Sequence, residues 1–471
     1  MTQTAIGNEQ APLTHGYRAV WRWHFLAGLW IAPLLIALTL SGAIYLFDRE
    51  IDGWWNRGIQ TVIPQGRPLS LEEQEAAVLA AFPGASPLQV RLPRSDDEAS
   101  IWGIKAARGT NRDVYLDPYR GRVNGTTDPD MQPTAIVRRL HATFLGGKVG
   151  GYVVELVACW TLIMMTTGIW LWWPRKWKAK GLFVPRWKTT GRRYWRDLHS
   201  IPSIFNALFV ILLVLTGLPW SAFWGEQFAK LGQVAPFVAP SPNFKAPPRA
   251  DGSNEADMHT AHRTAAMDSP GAARIPWTIK HTQVPHGSGP GPVGIGEMER
   301  LLSKLARSRF GEGVRIFYPK GTDGVFMISY VPDKAEGQRT LYIDPGTGRL
   351  LGNIGWADYS PAAKAVEWGV MTHMGREYGL PNQLVNLAVC LVLMGAIVAG
   401  LTLWWKRRPR GQLAAPRLLE SDIVPLGVKA TLGAIAVLFP LAGLSMIPII
   451  LWTGWRRPRR KPKRHQRWAG G

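Results

Sequence analysis

Two long apolar segments of the chain share one template, in which a histidine stands near the start and a glycine near the end. His141 precedes Gly168 by 27 positions, and His373 precedes Gly400 by the same 27 positions. A Trp-Trp pair follows each of these glycines after three further residues. Equal spacing over so long an interval indicates that one segment was duplicated within the chain.

The other two long apolar segments share a second template with a shorter spacing. His24 precedes Gly42 by 18 positions, and His199 precedes Gly217 by 18 positions. Each template therefore occurs twice, and the two templates alternate along the chain. The duplication places four histidines at matched positions in segments of membrane length, and this arrangement constrains any fold that the chain adopts.

Composition and charge place the chain in a membrane. The 471 residues are 46% hydrophobic, and the apolar residues form runs of the length, about 20 residues, that a helix needs to cross a bilayer. The formal charge of +22 is concentrated in the basic segments 174–197, 406–424 and 456–471, which the positive-inside rule predicts to be cytoplasmic. We therefore expect contact with membrane lipid and no nucleic-acid partner.

The polar segments between the spans contain two similar α+β patterns. In 48–140, a capping box of Ser70 and Glu73 begins a helix, and alternating strands follow as far as DVYLDPYRGRVNG. In 296–366, a helix and alternating strands lead to TLYIDPGTGRLLG, which matches the first motif at the Asp-Pro turn, the glycines and the arginine. The repeat is therefore predicted to consist of a span, an external module and a second span.

The repeat and the charge rule together predict the order of segments along the chain. The cytoplasmic segments are 1–23, 174–198, 406–425 and 456–471; the transmembrane segments are 24–47, 141–173, 199–224 and 367–405; the external segments are 48–140, the Pro/Gly-rich linker 225–295 and 296–366. Residues 426–455 are too short for two crossings and are predicted to form a re-entrant hairpin or one kinked helix. The predicted fold class is a mainly α membrane protein, with a four-helix transmembrane bundle built from a tandem repeat and two small α+β external modules.

The paired motifs resemble those of a known family. LHATF at 140–144 and LYIDPGTG at 341–348 are similar to the PepSY-associated transmembrane family, in which PepSY modules alternate with membrane helices. That family includes inner-membrane ferric-siderophore reductases. The resemblance therefore implies a multi-pass protein of the bacterial inner membrane, b-type haem and a ferric-siderophore substrate. The first module departs from the DPxTG pattern, since it has DPYRG.

The predicted directions of the spans place two histidines toward each membrane face. His24 and His199 begin outward-running spans and so lie toward the cytoplasmic face, whereas His141 and His373 begin inward-running spans and lie toward the outer face. A haem iron takes two axial imidazoles from separate helices of a bundle, so each pair is a candidate ligand set for one of two b-type haems. Two stacked haems would bridge a hydrocarbon core of about 30 Å. The alternative is that the histidines anchor or pack the interface.

Three arginines accompany the histidines. Arg139, Arg196 and Arg376 lie close in sequence to His141, His199 and His373, respectively. They are predicted either to pair with haem propionates or merely to follow the preference of basic residues for membrane interfaces.

Two further sets of residues leave alternatives open. The linker contains soft potential ligands for a transition metal, although such residues are usually only polar in an exposed linker: Met258, His259, His262, Met267, His281 and His286. Outside the membrane, Trp102, Trp277 and Trp356 are predicted to contact a chelate or to pack in the module cores.

Two functions are compatible with these features. The first is a di-haem oxidoreductase that passes electrons across the membrane to an external ferric siderophore, with a quinol or a cytoplasmic reductase as donor, because the sequence contains no dinucleotide or flavin motif. Reduction would release the metal, since iron(II) is a softer ion than iron(III) and hard oxygen ligands bind it less tightly. The second is a non-enzymatic membrane-anchored module that binds peptide or regulates a protease.

Overall fold

The computed structural model describes residues 15–174, 182–234, 275–280, 284–306, 313–408, 411 and 424–455. Contacts between residues divide the chain into two compact units. Unit 1 consists of residues 1–36, 155–214 and 392–471, and unit 2 consists of residues 37–154 and 215–391.

The helices and strands of the described residues follow in chain order. The helices are α1 (His15–Tyr45), α2 (Asp48–Trp55), α3 (Arg57–Gln60), α4 (Leu71–Ala81), α5 (Pro133–Thr143), α6 (Gly147–Trp172), α7 (Gly191–Gly217), α8 (Ala222–Val234), α9 (Trp277–Lys280), α10 (Ile295–Ala306), α11 (Pro361–His373), α12 (Leu380–Arg407), α13 (Leu426–Leu438) and α14 (Pro440–Trp455). The strands are β1 (Ser86–Arg91), β2 (Ser100–Lys105), β3 (Asn111–Asp117), β4 (Arg122–Thr127), β5 (Arg315–Phe317), β6 (Phe326–Tyr330), β7 (Arg339–Ile343) and β8 (Leu350–Gly355).

Four helices are long and apolar enough to cross a membrane. They are α1, α6, α7 and α12, with 26 to 31 residues each, and a rise of about 1.5 Å per residue makes even the shortest longer than the hydrocarbon core of about 30 Å. Large apolar side chains point away from the protein interior, including Trp30 at 80% exposure and Leu208 at 72%. Lipid is the solvent that suits such faces. The predicted class, a mainly α membrane protein with small α+β modules, is confirmed.

The C-terminal apolar segment forms two helices in unit 1. Their 13 and 16 residues span only about 20 and about 24 Å, so each is shorter than the hydrocarbon core. The helices are separated at Phe439, whose φ of −122° and ψ of 83° interrupt the helical backbone. Trp160 of α6 donates its indole Nε1–H to Ser445 of α14 at 3.0 Å, which attaches this segment to a spanning helix.

The strands of unit 2 form one antiparallel sheet of eight strands in the order β4-β3-β2-β1-β5-β6-β7-β8. Each predicted module contributes four strands, and the pairing of Val90 on β1 with Ile316 on β5 joins the two modules. The alternating patterns in the sequence predicted three strands per module. The sequences of β4 and β8, RVNGTT and LLGNIG, do not alternate regularly between apolar and polar residues, so these two strands were not predicted.

One face of the sheet carries a continuous apolar core. Val90, Trp102, Ile316 and Ile328 lie in one buried cluster with residues of α4 and α10, so both modules share it. The predicted capping box is present, with Ser70 and Glu73 bonding each other's backbone N–H groups at the start of α4. The packing interpretation of Trp102 is confirmed, because its side chain is fully buried there.

In the second and fourth predicted membrane segments, the histidine lies on a short helix that precedes the spanning helix. In the segment 141–173, α5 ends at Thr143, and Phe144 and Leu145 take left-handed φ values of 44° and 61°. This tight connection separates the histidine from the spanning helix α6. In the same way, His373 ends α11, and the spanning helix α12 begins after it.

Because the two modules share a sheet and a core, we expect them to unfold together. Replacing Ile316, which is fully buried, by alanine should destabilise unit 2 by about 2–5 kcal/mol. Hydrogen exchange should then accelerate in β2 of the first module as well as in β7 of the second. The matched control Leu350→Ala removes a side chain that is 48% exposed and should leave both strands protected. Wild-type protection of β2 in Ile316→Ala would mean that the modules are independent.

Candidate functional site: two histidine pairs

The four histidines of the repeat form two pairs, one in each unit. In unit 1, the ring centroids of His24 and His199 are 6.3 Å apart, with an interplanar angle of 72°. In unit 2, His141 and His373 are also 6.3 Å apart, with an angle of 59°. Rings at these angles and distances do not stack face to face. The structure therefore brings together the pairs that were predicted from the span directions.

The Nδ1 atom of every histidine in the two pairs is within hydrogen-bond distance of an oxygen on a facing helix. In unit 1, His24 Nδ1 is 2.9 Å from Thr167 Oγ1, and His199 Nδ1 is 2.8 Å from the carbonyl oxygen of Ala396. In unit 2, His141 Nδ1 is 2.9 Å from the carbonyl oxygen of Leu38, and His373 Nδ1 is 3.1 Å from Thr216 Oγ1. In each pair, one histidine contacts a backbone carbonyl through Nδ1 and the other contacts a threonine hydroxyl.

These contacts set the tautomer of His24, His141 and His199. A carbonyl oxygen only accepts, so His141 and His199 donate from Nδ1. Thr167 donates its own hydroxyl proton to the carbonyl of Ile163 at 2.7 Å, which leaves its oxygen to accept from His24. A neutral imidazole that donates from Nδ1 carries its lone pair on Nε2. Metal-ligating histidines are usually held in this way, by a hydrogen bond that the nitrogen not bound to the metal donates.

Each imidazole also lies against one of the glycines of the repeat. A Cβ atom built on Gly42 would be 2.9 Å from His141 Cε1, and one built on Gly217 would be 3.2 Å from His373 Cε1. In unit 1, a Cβ on Gly168 would be 3.2 Å from His24 Cε1, and one on Gly400 would be 3.1 Å from His199 Nδ1. The glycine of one template therefore receives the histidine of the other template, which explains why both spacings were duplicated together.

The residue before the glycine contacts a histidine in three of the four spans, and the sequence analysis missed this position. Three of the four glycines follow a hydroxyl residue, namely Ser41, Thr167 and Thr216. Ser41 Oγ is 3.3 Å from His141 Nδ1, and the two threonines bind their histidines as described above. The fourth position is Ala399, and its histidine uses a backbone carbonyl instead. Aligning the four spans on their glycines would have revealed this pattern.

The geometry of the pairs fits two axial ligands of one haem iron. A metal–imidazole bond of about 2.0 Å and a ring radius of about 1.1 Å put the centroids of two opposed imidazoles roughly 6.2 Å apart. Both observed separations are 6.3 Å. Within the described residues, no group of three or more His, Cys, Asp or Glu side chains could hold a bare metal ion. Haem needs only two protein ligands, because the porphyrin supplies the other four.

The three arginines have different surroundings. Arg139 is exposed and donates Nη2 to the carbonyl of Asp130 at 2.9 Å. Arg196 has a side chain that is 55% exposed and contacts the Asp197 carboxylate at 2.9 Å. Arg376 is largely buried and donates Nη2 to both carboxylate oxygens of Asp48, at 2.9 and 2.7 Å.

The other candidates from the sequence are only partly described. Met258, His259, His262, Met267 and His281 lie outside the described residues. His286 is described, and its Nδ1 is 2.8 Å from a carboxylate oxygen of Asp323. Trp277 is 4% exposed and donates its indole Nε1–H to the carbonyl oxygen of Pro219 at 2.7 Å.

Comparison with known proteins places the chain in a family. No curated protein matches this sequence. A family model described as the PepSY-associated TM region matches residues 21–407, which include all four histidines of the two pairs and both modules. The match covers more than half of the chain. The protein is therefore a membrane protein that belongs to the PepSY-associated TM region family.

Proposed function

We propose that this protein is a di-haem b oxidoreductase of the bacterial inner membrane that passes electrons across the membrane to a ferric siderophore on the outer side. The observation that carries the proposal is the equal 6.3 Å separation of the two histidine pairs. That distance suits an iron atom between the imidazoles. The Nδ1 contacts support the same function, because His24, His141 and His199 donate from Nδ1 and so keep Nε2 as the coordinating nitrogen.

The residues of the chain have separate tasks in this proposal. His24 and His199 would hold one haem b, and His141 and His373 would hold the other. When bound, each haem supplies one-electron transfer between the ferrous and ferric states. The oxygens at Nδ1 orient the imidazoles, and the glycines leave room beside the rings. Lipid-facing apolar side chains on the helices exclude water from the region through which the electrons would pass.

The arginines remain candidates for the propionate groups. Arg139 and Arg196 are exposed and stand two and three residues before His141 and His199 in the chain, and a propionate carboxylate could join their present contacts. For Arg376 the proposal requires that its bond to Asp48 be shared or exchanged, because both oxygens of that carboxylate already accept from it.

The direction of transfer follows from the sequence. Both folded modules lie in segments that the charge rule predicts to be external, whereas the predicted cytoplasmic segments are short and basic. A bulky chelate therefore has its binding surface outside, and the donor, a quinol or a cytoplasmic reductase, reaches the other side. Adding one electron to the chelated iron gives iron(II), which its hard oxygen ligands hold less tightly. The protein needs no acid or base for this step.

Single histidine substitutions should separate the two sites. His141→Ala and His373→Ala should each lose about half of the bound haem, because one axial ligand of one site is removed. The remaining haem should keep its wild-type spectrum. His286→Ala serves as the control, since this histidine pairs with Asp323 outside both pairs, and it should retain both haems. Full haem retention in both His141→Ala and His373→Ala would contradict the assignment of these two histidines as ligands of one haem.

The glycine contacts give a test that leaves every ligand in place. Gly42→Val should displace His141, because even a Cβ atom at this position would lie 2.9 Å from the ring, and haem content should again fall by about half. Gly395→Val is the matched control on a spanning helix, where a Cβ atom meets nothing within 4 Å. Haem-to-protein ratios from a pyridine haemochrome assay measure both variants. Equal ratios would show that the glycine does not shape a haem site.

A further inference from the structure

A buried carboxyl group lies on the same short helix as a histidine of the outer pair. Glu367 is 1% exposed and belongs to α11, which ends at His373 and precedes the spanning helix α12. The six residues from Glu367 to His373 extend about 9 Å along the helix, at about 1.5 Å per residue. Charges that are buried and this close are only weakly screened. A change of charge at the outer pair would therefore be felt by Glu367.

Opposing influences act on the charge of Glu367. Its Oε1 accepts from the backbone N–H and the hydroxyl of Thr278, at 2.8 and 2.7 Å, and its Oε2 accepts from Gln338 Nε2 at 3.2 Å. Burial raises the pKa of Glu367, while these hydrogen bonds and the positive charge of Lys280 oppose the shift. A buried acid with such a balance can gain or lose a proton in response to a nearby charge.

The other titratable groups near Glu367 have defined states. Burial and the charge of Glu367 raise the pKa of Tyr359 well above its ordinary value, so the phenol stays neutral. Burial and the charge of Arg138 lower the pKa of Lys280 to about 8, although Glu367 opposes this shift. Lys280 is therefore charged below that pH. Glu336, on a 3-10 helix that contacts α11, is exposed to water.

A cleft in unit 2 gives water access to Glu367. Glu367, Gln338 and Ser329 line it, and so does Arg49, whose side chain is 28% exposed. The enclosed space is about 30 Å³, enough for about two water molecules. Ser329 Oγ and Gln338 Oε1 are buried and have no hydrogen-bond partner among the described residues. Ordered water usually satisfies such groups, so water is the ligand that suits this cleft.

Glu367 is the one carboxyl group among the described lining residues of the cleft. The arginines of the lining have interactions of their own: Arg49 with Asp333, Arg376 with Asp48, Arg315 with Gln89, and Arg94 with other groups. An arginine stays charged at every pH at which the protein is folded. Glu367 is therefore the group of this lining whose charge can change.

We propose that Glu367 binds a proton from the water of the cleft when an electron enters the outer haem site, and releases it when the electron passes to the ferric chelate. The inference rests on the proposed reductase function and adds a charge-compensating group to it. The electron makes the surroundings of Glu367 more negative, which raises the proton affinity of the carboxylate. When the electron converts the iron(III) of the chelate to iron(II), the proton returns to the solvent.

Potentiometric titration of the purified di-haem protein at several pH values tests this role. In the wild type, the midpoint potential of the outer haem should fall as the pH rises through the titration of Glu367, because the reduced protein binds more protons there than the oxidised protein. This window lies above the ordinary pKa of a glutamate, since burial raises the pKa. Below the window both forms are protonated, and the potential should be constant. Loss of a component in His141→Ala identifies the outer haem.

Three variants assign the effect to one group. Glu367→Gln should give a potential that is independent of pH and equal to that of the wild type at low pH, because the amide stays neutral. Lys280→Met should move the pH dependence to higher pH, because it removes a cation that favours the ionised carboxylate. Glu336→Gln is the matched control, since its exposed carboxylate is screened by water, and it should behave like the wild type.

The outcomes separate this inference from the proposed function. A di-haem protein whose outer potential does not change with pH, or changes equally in the wild type and Glu367→Gln, would overturn the inference, while the reductase would stand. Loss of the pH dependence in Lys280→Met alone would make Lys280 the proton acceptor and would also overturn it. A protein without haem would contradict both.

A second measurement applies if Glu367→Gln does not assemble the outer haem. Infrared difference spectra of the wild type, reduced minus oxidised, should then contain the band of a carboxyl group that gains a proton. Absence of this band would overturn the inference.

Discussion

The contact between an imidazole and a glycine of a facing helix is the interaction on which the candidate site depends. A helix can approach a ring closely only where it lacks a side chain, and each of the four rings meets a glycine at such a place. The same approach brings an oxygen of the facing helix to Nδ1. The facing helix therefore fixes the position of each of the four rings, and it also fixes the tautomer of His24, His141 and His199.

The reciprocal arrangement accounts for the duplicated spacings. A span that supplies a histidine near one end supplies a glycine near the other, and its partner span in the same repeat does the reverse. Changing one spacing alone would separate a ring from its glycine. This constraint explains why two templates of different length persist side by side, and why the histidines occur in pairs rather than as single interfacial residues.

The repeat has a second consequence in the sheet. β1 and β5 are corresponding strands of the two modules, and their pairing makes one sheet with a shared core on one face. On the other face, one apolar cluster includes Phe317 of β5 and Met327 of β6, and a second includes Ile101 of β2 and Tyr115 of β3.

Much of the fold followed from the sequence, because periodicity and spacing are local signals. The four spans, the capping box at Ser70 and the central strands of each module were predicted from them. The pairing of β1 with β5 was not, since a contact between Val90 and Ile316 leaves no mark on either segment alone. The histidines were identified from their spacing, but the oxygens at Nδ1 were missed, because which residue faces a ring depends on how two helices pack.

The most direct test of the central claim is the spectrum of the purified wild-type protein. The account predicts two haems per chain, with a Soret band, a reducible α-band and the low-spin ferric signals of an iron with two imidazole ligands in electron paramagnetic resonance. The equal 6.3 Å separations predict that both sites have this ligation. A protein purified from cells with ample haem that shows no Soret band, or only high-spin iron, would contradict the account.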